Sequence, residues 1–180
     1  NAITNMISEI PGEFIFTLTS ESKPDTLPAL ISTNLSKALL YGFDFSFDYN
    51  FVDNFVLFAS GAYVRGKNRD SGENLPRIPP LNGHSGIRYT YPKLGSTEIA
   101  ITSASKQEKI APGERSTGGY YSLSMALHTI KFKIGNAGLQ FFSGIDNITN
   151  RSYTNHLSTN RGSISIEPGR SAFIRVALSY

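Results

Sequence analysis

From Leu39 to Phe51 the odd positions Tyr41, Phe43, Phe45, Phe47, Tyr49 and Phe51 are aromatic, while Gly42, Asp44, Ser46, Asp48 and Asn50 between them are small or polar. A period of two predicts a strand with two unlike faces. The pattern recurs along the chain. Ile87, Tyr89 and Tyr91 stand against Arg88 and Thr90, and Ile99 and Ile101 against Glu98, Ala100 and Thr102. Further on, Tyr121, Leu123, Met125 and Leu127 oppose Ser122, Ser124, Ala126 and His128. Leu139, Phe141 and Ile145 oppose Gln140, Gly144 and Asp146. After Thr129 the apolar positions Ile130, Phe132 and Ile134 change parity, which predicts a β-bulge near Thr129. Residues 55–65 are apolar on both faces and residues 2–18 are interrupted by Pro11-Gly12, so pattern alone orients neither.

These runs predict strands over 2–18, 31–51, 55–65, 86–91, 97–106, 120–134, 139–146 and 171–180. The connections alternate long and short: 19–30, 66–81, 107–119 and 147–170 are long, while 52–54, 92–96 and 135–138 are short. Short turns on one side and long loops on the other mark an all-β, antiparallel up-and-down transmembrane β-barrel segment of about eight strands. A soluble sandwich could hold as many strands, but regular alternation of loop length is not expected of it. The second strand also far exceeds the ~5 to 6 residues usual in globular sheets.

Composition narrows the class. Hydrophobic residues make up 39% of the 180 and mean hydropathy is −0.18, so no segment approaches the ~20 apolar residues of a membrane helix. Any membrane span is therefore a strand. Nine Tyr and twelve Phe supply aromatic girdles. With no cysteine there is no disulfide, thiolate metal site or cysteine nucleophile. A net charge of +3, scattered among loops, argues against nucleic acid as a partner. Asn1 to Pro11 lacks the charged start and apolar run of a signal peptide, as expected of a mature or internal segment.

Several strings together resemble the C-terminal barrel region of TonB-dependent outer-membrane receptors. They are Gly61-Ala-Tyr-Val-Arg-Gly66, Leu75-Pro-Arg-Ile-Pro-Pro80, Gly86-Ile-Arg-Tyr89, Asp146-Asn-Ile-Thr-Asn-Arg-Ser-Tyr153 and Pro168-Gly-Arg170, in that order. The resemblance covers about Leu39 to Tyr180. It implies that residues 1–180 are the C-terminal part of a larger barrel, with the plug domain absent from this chain. It further implies uptake of a scarce ligand (ferric siderophore, haem or metal complex) across the outer membrane of a Gram-negative bacterium, energised by TonB through the plug. Outer-membrane lipid, lipopolysaccharide and the barrel-insertion machinery are the other implied partners. The insertion signal maps onto Ala172, Ile174, Val176, Leu178 and Tyr180. No cofactor is implied. A complete eight-stranded barrel with a structural or adhesive role is the alternative, and it would close on itself.

Candidate chemistry is sparse. Asp44 and Asp48 share the polar face ~13 to 14 Å apart at ~3.4 Å per residue, too far to act on one glycosidic bond. No G-x-S-x-G elbow marks a hydrolase such as an outer-membrane phospholipase or protease, so the chain reads as no enzyme. The three histidines lack metal-site spacing. His156, in Asn155-His-Leu-Ser158 of the longest loop, resembles strings in relatives that import metal ions, and an exposed imidazole there could catch a borderline cation. Arg115, Arg151, Arg161 and Arg170, with Lys106 and Lys109, are loop cations suited to anionic ligands or lipopolysaccharide phosphates. Ligand contact is expected of Arg115, Arg151, His156 and Arg161, with His156 also the metal candidate. Asn34, Asn147 and Asn150 match glycosylation sequons but fit turn chemistry.

Overall fold

A computed structural model describes residues 2–16, 25–162 and 164–180, and side chains from Lys37 onward except at residue 163. It is one antiparallel sheet. In chain order the strands are β1 (Ala2–Phe16), β2 (Asp25–Val52), β3 (Phe55–Asn68), β4 (Asn82–Tyr91), β5 (Gly95–Ala104), β6 (Tyr120–Thr129), β7 (Phe132–Ile134), β8 (Ala137–Asp146) and β9 (Ser171–Ser179). One short helix, α1 (His156–Asn160), lies in the last long loop. Each strand pairs with its sequence neighbours, and β8 takes both β6 and β7 on one side and β9 on the other.

The bulge near Thr129 is present. His128 opposes Phe142 and Phe132 opposes Leu139, so four steps on one strand match three on the other, and one residue is extra. Thr129 is held there: its carbonyl accepts from Gln140 Nε2 at 2.8 Å and its Oγ1 from the Phe141 N–H at 2.9 Å. Counting β6 and β7 as one bulged strand gives the eight expected.

Several boundaries differ from the sequence reading. β1 runs unbroken through Pro11-Gly12, which pair with Leu30 and Ala29, and β2 begins at Asp25 rather than near Ile31. Backbone pairing on β1 overrides the local turn signal. Residues 17–18, the end of the expected first strand, and 19–24, the rest of the expected loop, lie outside the described residues. β4 starts at Asn82, not Gly86, because Asn82 to Ser85 offer no apolar alternation yet pair with both β3 and β5. β3 extends to Asn68 for the same reason, opposite Ala38. β5 spans Gly95–Ala104, two residues earlier than expected.

The register sorts the side chains. Phe43, Phe47 and Tyr49 stand opposite Tyr63, Ala59 and Leu57, so the odd residues of β3 share the aromatic face. From Leu57 the row continues through Ile87, Ile99, Met125 and Ile145 to Ala172. This orients β3, which its own pattern could not. The face stays uncovered: Phe43 is 59% exposed and Ile174 80%. A soluble protein does not leave a continuous apolar face of this extent in water, whereas the outward band of a membrane barrel does. β4, β5 and β6 each have 10 residues, within the ~9 to 11 that a tilted strand needs to cross. At 28 residues β2 projects well beyond.

At the short-turn end the apolar face closes in an aromatic band. Phe51 and Phe55 lie 5.8 Å apart, Phe55 and Tyr89 4.4 Å, and Tyr89 and Tyr91 4.5 Å. The chain reverses beside it with Asn54 at φ 67°, a conformation an Asn side chain tolerates.

On the opposite face most residues are polar or small, and Phe58 is the large side chain buried among them. Phe58 is 8% exposed, with the Arg88 guanidinium 5.3 Å above its ring and the His84 ring 5.4 Å away. Its ring edge fills the space over Gly86. A Cβ at Gly86 would meet Phe58 Cζ at 2.7 Å and collide with the Ile99 carbonyl. Gly86→Ala is therefore expected to destabilise the sheet by about 1 to 2 kcal/mol through overpacking. Urea titration of the folded protein in detergent would measure it, and unchanged stability would show that the ring and strand give way freely.

The sheet does not close. β1 pairs only with β2, and β9 only with β8, so among the described residues both outer edges are free. It is an arc of barrel wall.

Candidate functional site

The polar face is the inner wall, and its side chains pair across strands. Arg88 and Glu98 are direct register partners, with Nε donating to Oε2 at 2.9 Å and Nη2 2.8 Å from the same oxygen. His84 Nδ1 lies 3.1 Å from Thr102 Oγ1 on the next strand. Arg175 sits 4.6 Å over the Phe142 ring. Asp44 and Asp48 are exposed along β2.

The long loops fold together over the upper end of this wall. The Asn74 amide donates to the Ile110 carbonyl at 3.2 Å and Gln107 Nε2 to the Ile78 carbonyl at 2.8 Å, tying the loop after β3 to the loop after β5. Glu114 is a hub between them: Oε1 accepts from the Arg77 N–H at 2.6 Å and Oε2 from the Ala111 N–H at 3.0 Å. Asn160 joins the third loop, since its Oδ1 accepts from Arg115 N–H at 2.7 Å and its Nδ2 donates back to the Arg115 carbonyl at 3.1 Å. Leu75 and Ala111 are the buried apolar residues inside the cap.

The strand end at Asp146 turns into this cap through two left-handed residues, Asn147 at φ 49° and Asn150 at φ 52°. Asn147 is 3% exposed. Its Nδ2 donates to the carbonyls of Arg151 at 2.8 Å and Pro168 at 3.2 Å, and its Oδ1 accepts from Arg151 N–H at 2.9 Å. Asn150 Oδ1 accepts from Arg170 N–H at 2.9 Å. The expected turn chemistry is thus realised at Asn147 and Asn150, whereas Asn34 lies within β2, where backbone pairing with Ile7 of β1 replaces the expected turn. Tyr153 then stacks on Tyr120 at 4.2 Å, and Asn155, the N-cap of α1, donates to the Tyr120 hydroxyl at 3.3 Å.

Between cap and wall lies a cavity of about 580 Å³, lined by Asp44, Ser60, His84, Thr102 and Tyr120 of the strands and by Asn155 of the last loop. Hydroxyl, amide, imidazole and carboxylate groups converge there, suited to hydrogen-bonding a polar solute.

The expected contact residues do not form one cluster. His156 is buried at 2% exposure in the cap, not displayed on the loop as the sequence suggested. Arg115 and Arg161 are exposed on the outer surface of the cap, brought near each other through Asn160. Arg151 turns away, with its guanidinium 4.2 Å over Tyr121, an outward-face residue. Among the described residues no group of three or more His, Asp or Glu is placed to hold a metal ion. Ala172, Ile174, Val176 and Leu178 share the outward face of β9, and Tyr180 follows the strand.

His156 Nδ1 lies 3.1 Å from Asn160 Nδ2 and 3.2 Å from Thr117 Oγ1. Nε2 finds no hydrogen-bond partner among the described residues and lies 4.0 Å from Glu114 Oε2. Burial lowers the imidazole pKa, opposed by the Glu114 charge. A base whose folded pKa is depressed stabilises above its unfolded value of about 6.5 and loses that contribution as pH falls below it. Hydrogen exchange across residues 147–162 is expected to quicken as pH drops through that window once corrected for intrinsic rates. His156→Gln should flatten the dependence, and an unchanged profile would contradict the role.

Sequence reasoning passed over Arg88, Glu98, His84, Tyr120 and Asn155. The signal for the first two was available: a short turn at 92–94 fixes Arg88 opposite Glu98, because paired residue numbers must have a constant sum.

Comparison with known proteins is informative about shape. No protein-family model matches the chain, and no curated protein does. Among solved structures the copper transporter OprC is similar, with a TM-score of 0.74 and 22% sequence identity over 97% of this chain. The chain spans only 27% of OprC, so an arc of sheet here is similar to part of a longer chain there.

Proposed function

We propose that this chain is part of the wall of a TonB-dependent outer-membrane receptor that takes up a scarce nutrient as a metal complex, such as a ferric siderophore or haem. The observation that carries the reading is the register, which gives one open sheet a continuous apolar outside and a polar inside roofed by long loops. The fold likeness to a copper transporter points the same way. So do the unpaired edges of β1 and β9, since an arc needs further strands to close a lumen.

The cargo contacts are hydrogen bonds accepted by Asp44 and exchanged with His84, Tyr120 and Asn155. Such groups suit the polar periphery of a chelated metal better than a bare ion. Arg115 and Arg161 on the cap surface steer anionic complexes inward. The role is transport and not catalysis. A plug domain outside this chain supplies the link to TonB, and the outward residues of β9 are read by the barrel-insertion machinery.

The test is the intact mass of the native polypeptide carrying this sequence, taken from a detergent-extracted outer-membrane fraction, with metal-complex uptake compared before and after deletion of its gene. A mass several times 19.7 kDa and reduced uptake on deletion are expected. A mass near 19.7 kDa with no partner chain would sink the reading, as would recovery from the soluble fraction.

A further inference from the structure

A second cavity, of about 260 Å³, lies at the loop end of the sheet beside the point where β4 begins. β3 and the chain beyond β5 both extend past Asn82, and the segment through Ile78 to Leu81 crosses between them, bonded by the Ser105 N–H to the Leu81 carbonyl at 2.8 Å. Tyr63 and Arg65 stand opposite Phe43 and Tyr41, so they carry the parity of the apolar outer face. The cavity thus reaches the outer margin of that face, beyond its last aromatic residues, and is closed on the other side by Asn74, Ile78 and Gln107 of the cap.

Its chemistry is cationic. Arg65, Lys106 and Lys109 all line it, and the sole acid among the lining residues is Glu108, already 2.6 Å from Lys106 Nζ. Arg65 Nε is buried with no hydrogen-bond partner. A buried guanidinium N–H left unpaired is costly, which favours an anion beside the Arg65 head group that lines the cavity. Net positive charge, a planar donor fork and two flexible ammonium groups fit phosphate oxygens better than a single carboxylate.

We infer that Arg65, Lys106 and Lys109 form a binding site for a terminal phosphate group at the outer margin of the apolar face. Two sources carry that group: the phosphorylated glycolipid of an outer leaflet, whose head group would meet this margin, and free phosphate. The level of the cavity relative to the membrane rests on the function proposed above, but the anion chemistry does not.

The experiment uses the native polypeptide in detergent micelles, with bis-phosphorylated lipid A, the same lipid with its phosphates removed, and inorganic phosphate as probes. Bis-phosphorylated lipid A is expected to bind, and its dephosphorylated form at least tenfold more weakly. The Arg65→Gln, Lys106→Gln, Lys109→Gln triple variant should lose at least tenfold in affinity for the phosphorylated lipid, with Arg65→Lys intermediate. In case the triple variant does not fold, amine acetylation of the unmutated protein gives an independent readout: lipid A should protect Lys106 and Lys109 but not Lys93. Equal affinity for both lipids, or no protection, would overturn the site. Inorganic phosphate that binds as tightly and displaces the lipid would identify free phosphate as the ligand and remove the lipid. Because binding is read in micelles, a polypeptide found outside the outer membrane would defeat the functional proposal while the inorganic-phosphate arm still judged the cavity.

Discussion

Ile99→Arg is expected to destabilise the protein in a bilayer by about 2 to 4 kcal/mol, the cost of a cation near the middle of a lipid-facing strand. Ile99 is the fifth residue of the ten in β5, is 51% exposed, and is flanked on its own face by Ile87 and Met125. Among the described residues its neighbours on that face, Ile87 and Met125 across and Thr97 and Ile101 along the strand, offer no counter-charge. Ser46→Arg is the matched control. Ser46 is exposed on the opposite face of β2, across from Ser60, where water solvates a guanidinium, and its effect should stay within about 0.5 kcal/mol. Urea titrations in lipid vesicles of the polypeptide carrying each change would decide the matter. Equal effects for the two would mean that the apolar face is not in lipid, and the transmembrane assignment would fall with it.

The second large effect is expected of Asn147→Ala, about 2 to 4 kcal/mol. The side chain makes three hydrogen bonds while buried, and removal strands the carbonyls of Arg151 and Pro168 and the N–H of Arg151. Alanine also resists the left-handed backbone that Asn147 adopts at φ 49°. Asn147→Gly would keep the backbone but not the bonds and should recover about 1 kcal/mol of the loss. Limited proteolysis within residues 147–170, compared with cleavage elsewhere, measures whether the cap loosens while the sheet persists. A cap as resistant as the parent's would show that the loop is held by its contacts with the other two loops alone.

These two sites differ in how far the sequence disclosed them. The place of Ile99 on the apolar face could be read directly, because a strand alternates by two and any run with unlike odd and even residues declares its faces. The role of Asn147 was half visible. Its residue type and its position after Asp146 suggested a turn, but Pro168, which accepts one of its bonds, is 21 residues away, and no local pattern joins them.

Strand order, antiparallel pairing, the bulge near Thr129 and the sides on which loops are short or long were all legible in the chain. Those properties follow from side-chain alternation and chain reversal, which are local. The tertiary structure decided what depends on register and on contacts between loops. Only pairing with β2 oriented β3 and turned Phe58 inward under Arg88. Pairing also carried β1 through Pro11-Gly12 and began β4 at Asn82, where polar residues on both faces hide a strand from periodicity. The fate of the loop residues was equally non-local. His156 is buried because three separate loops meet around it, Arg151 leaves the cap for Tyr121 because the Asn147 turn directs it there, and Arg65 gains significance only because Lys106 and Lys109 come to share its cavity.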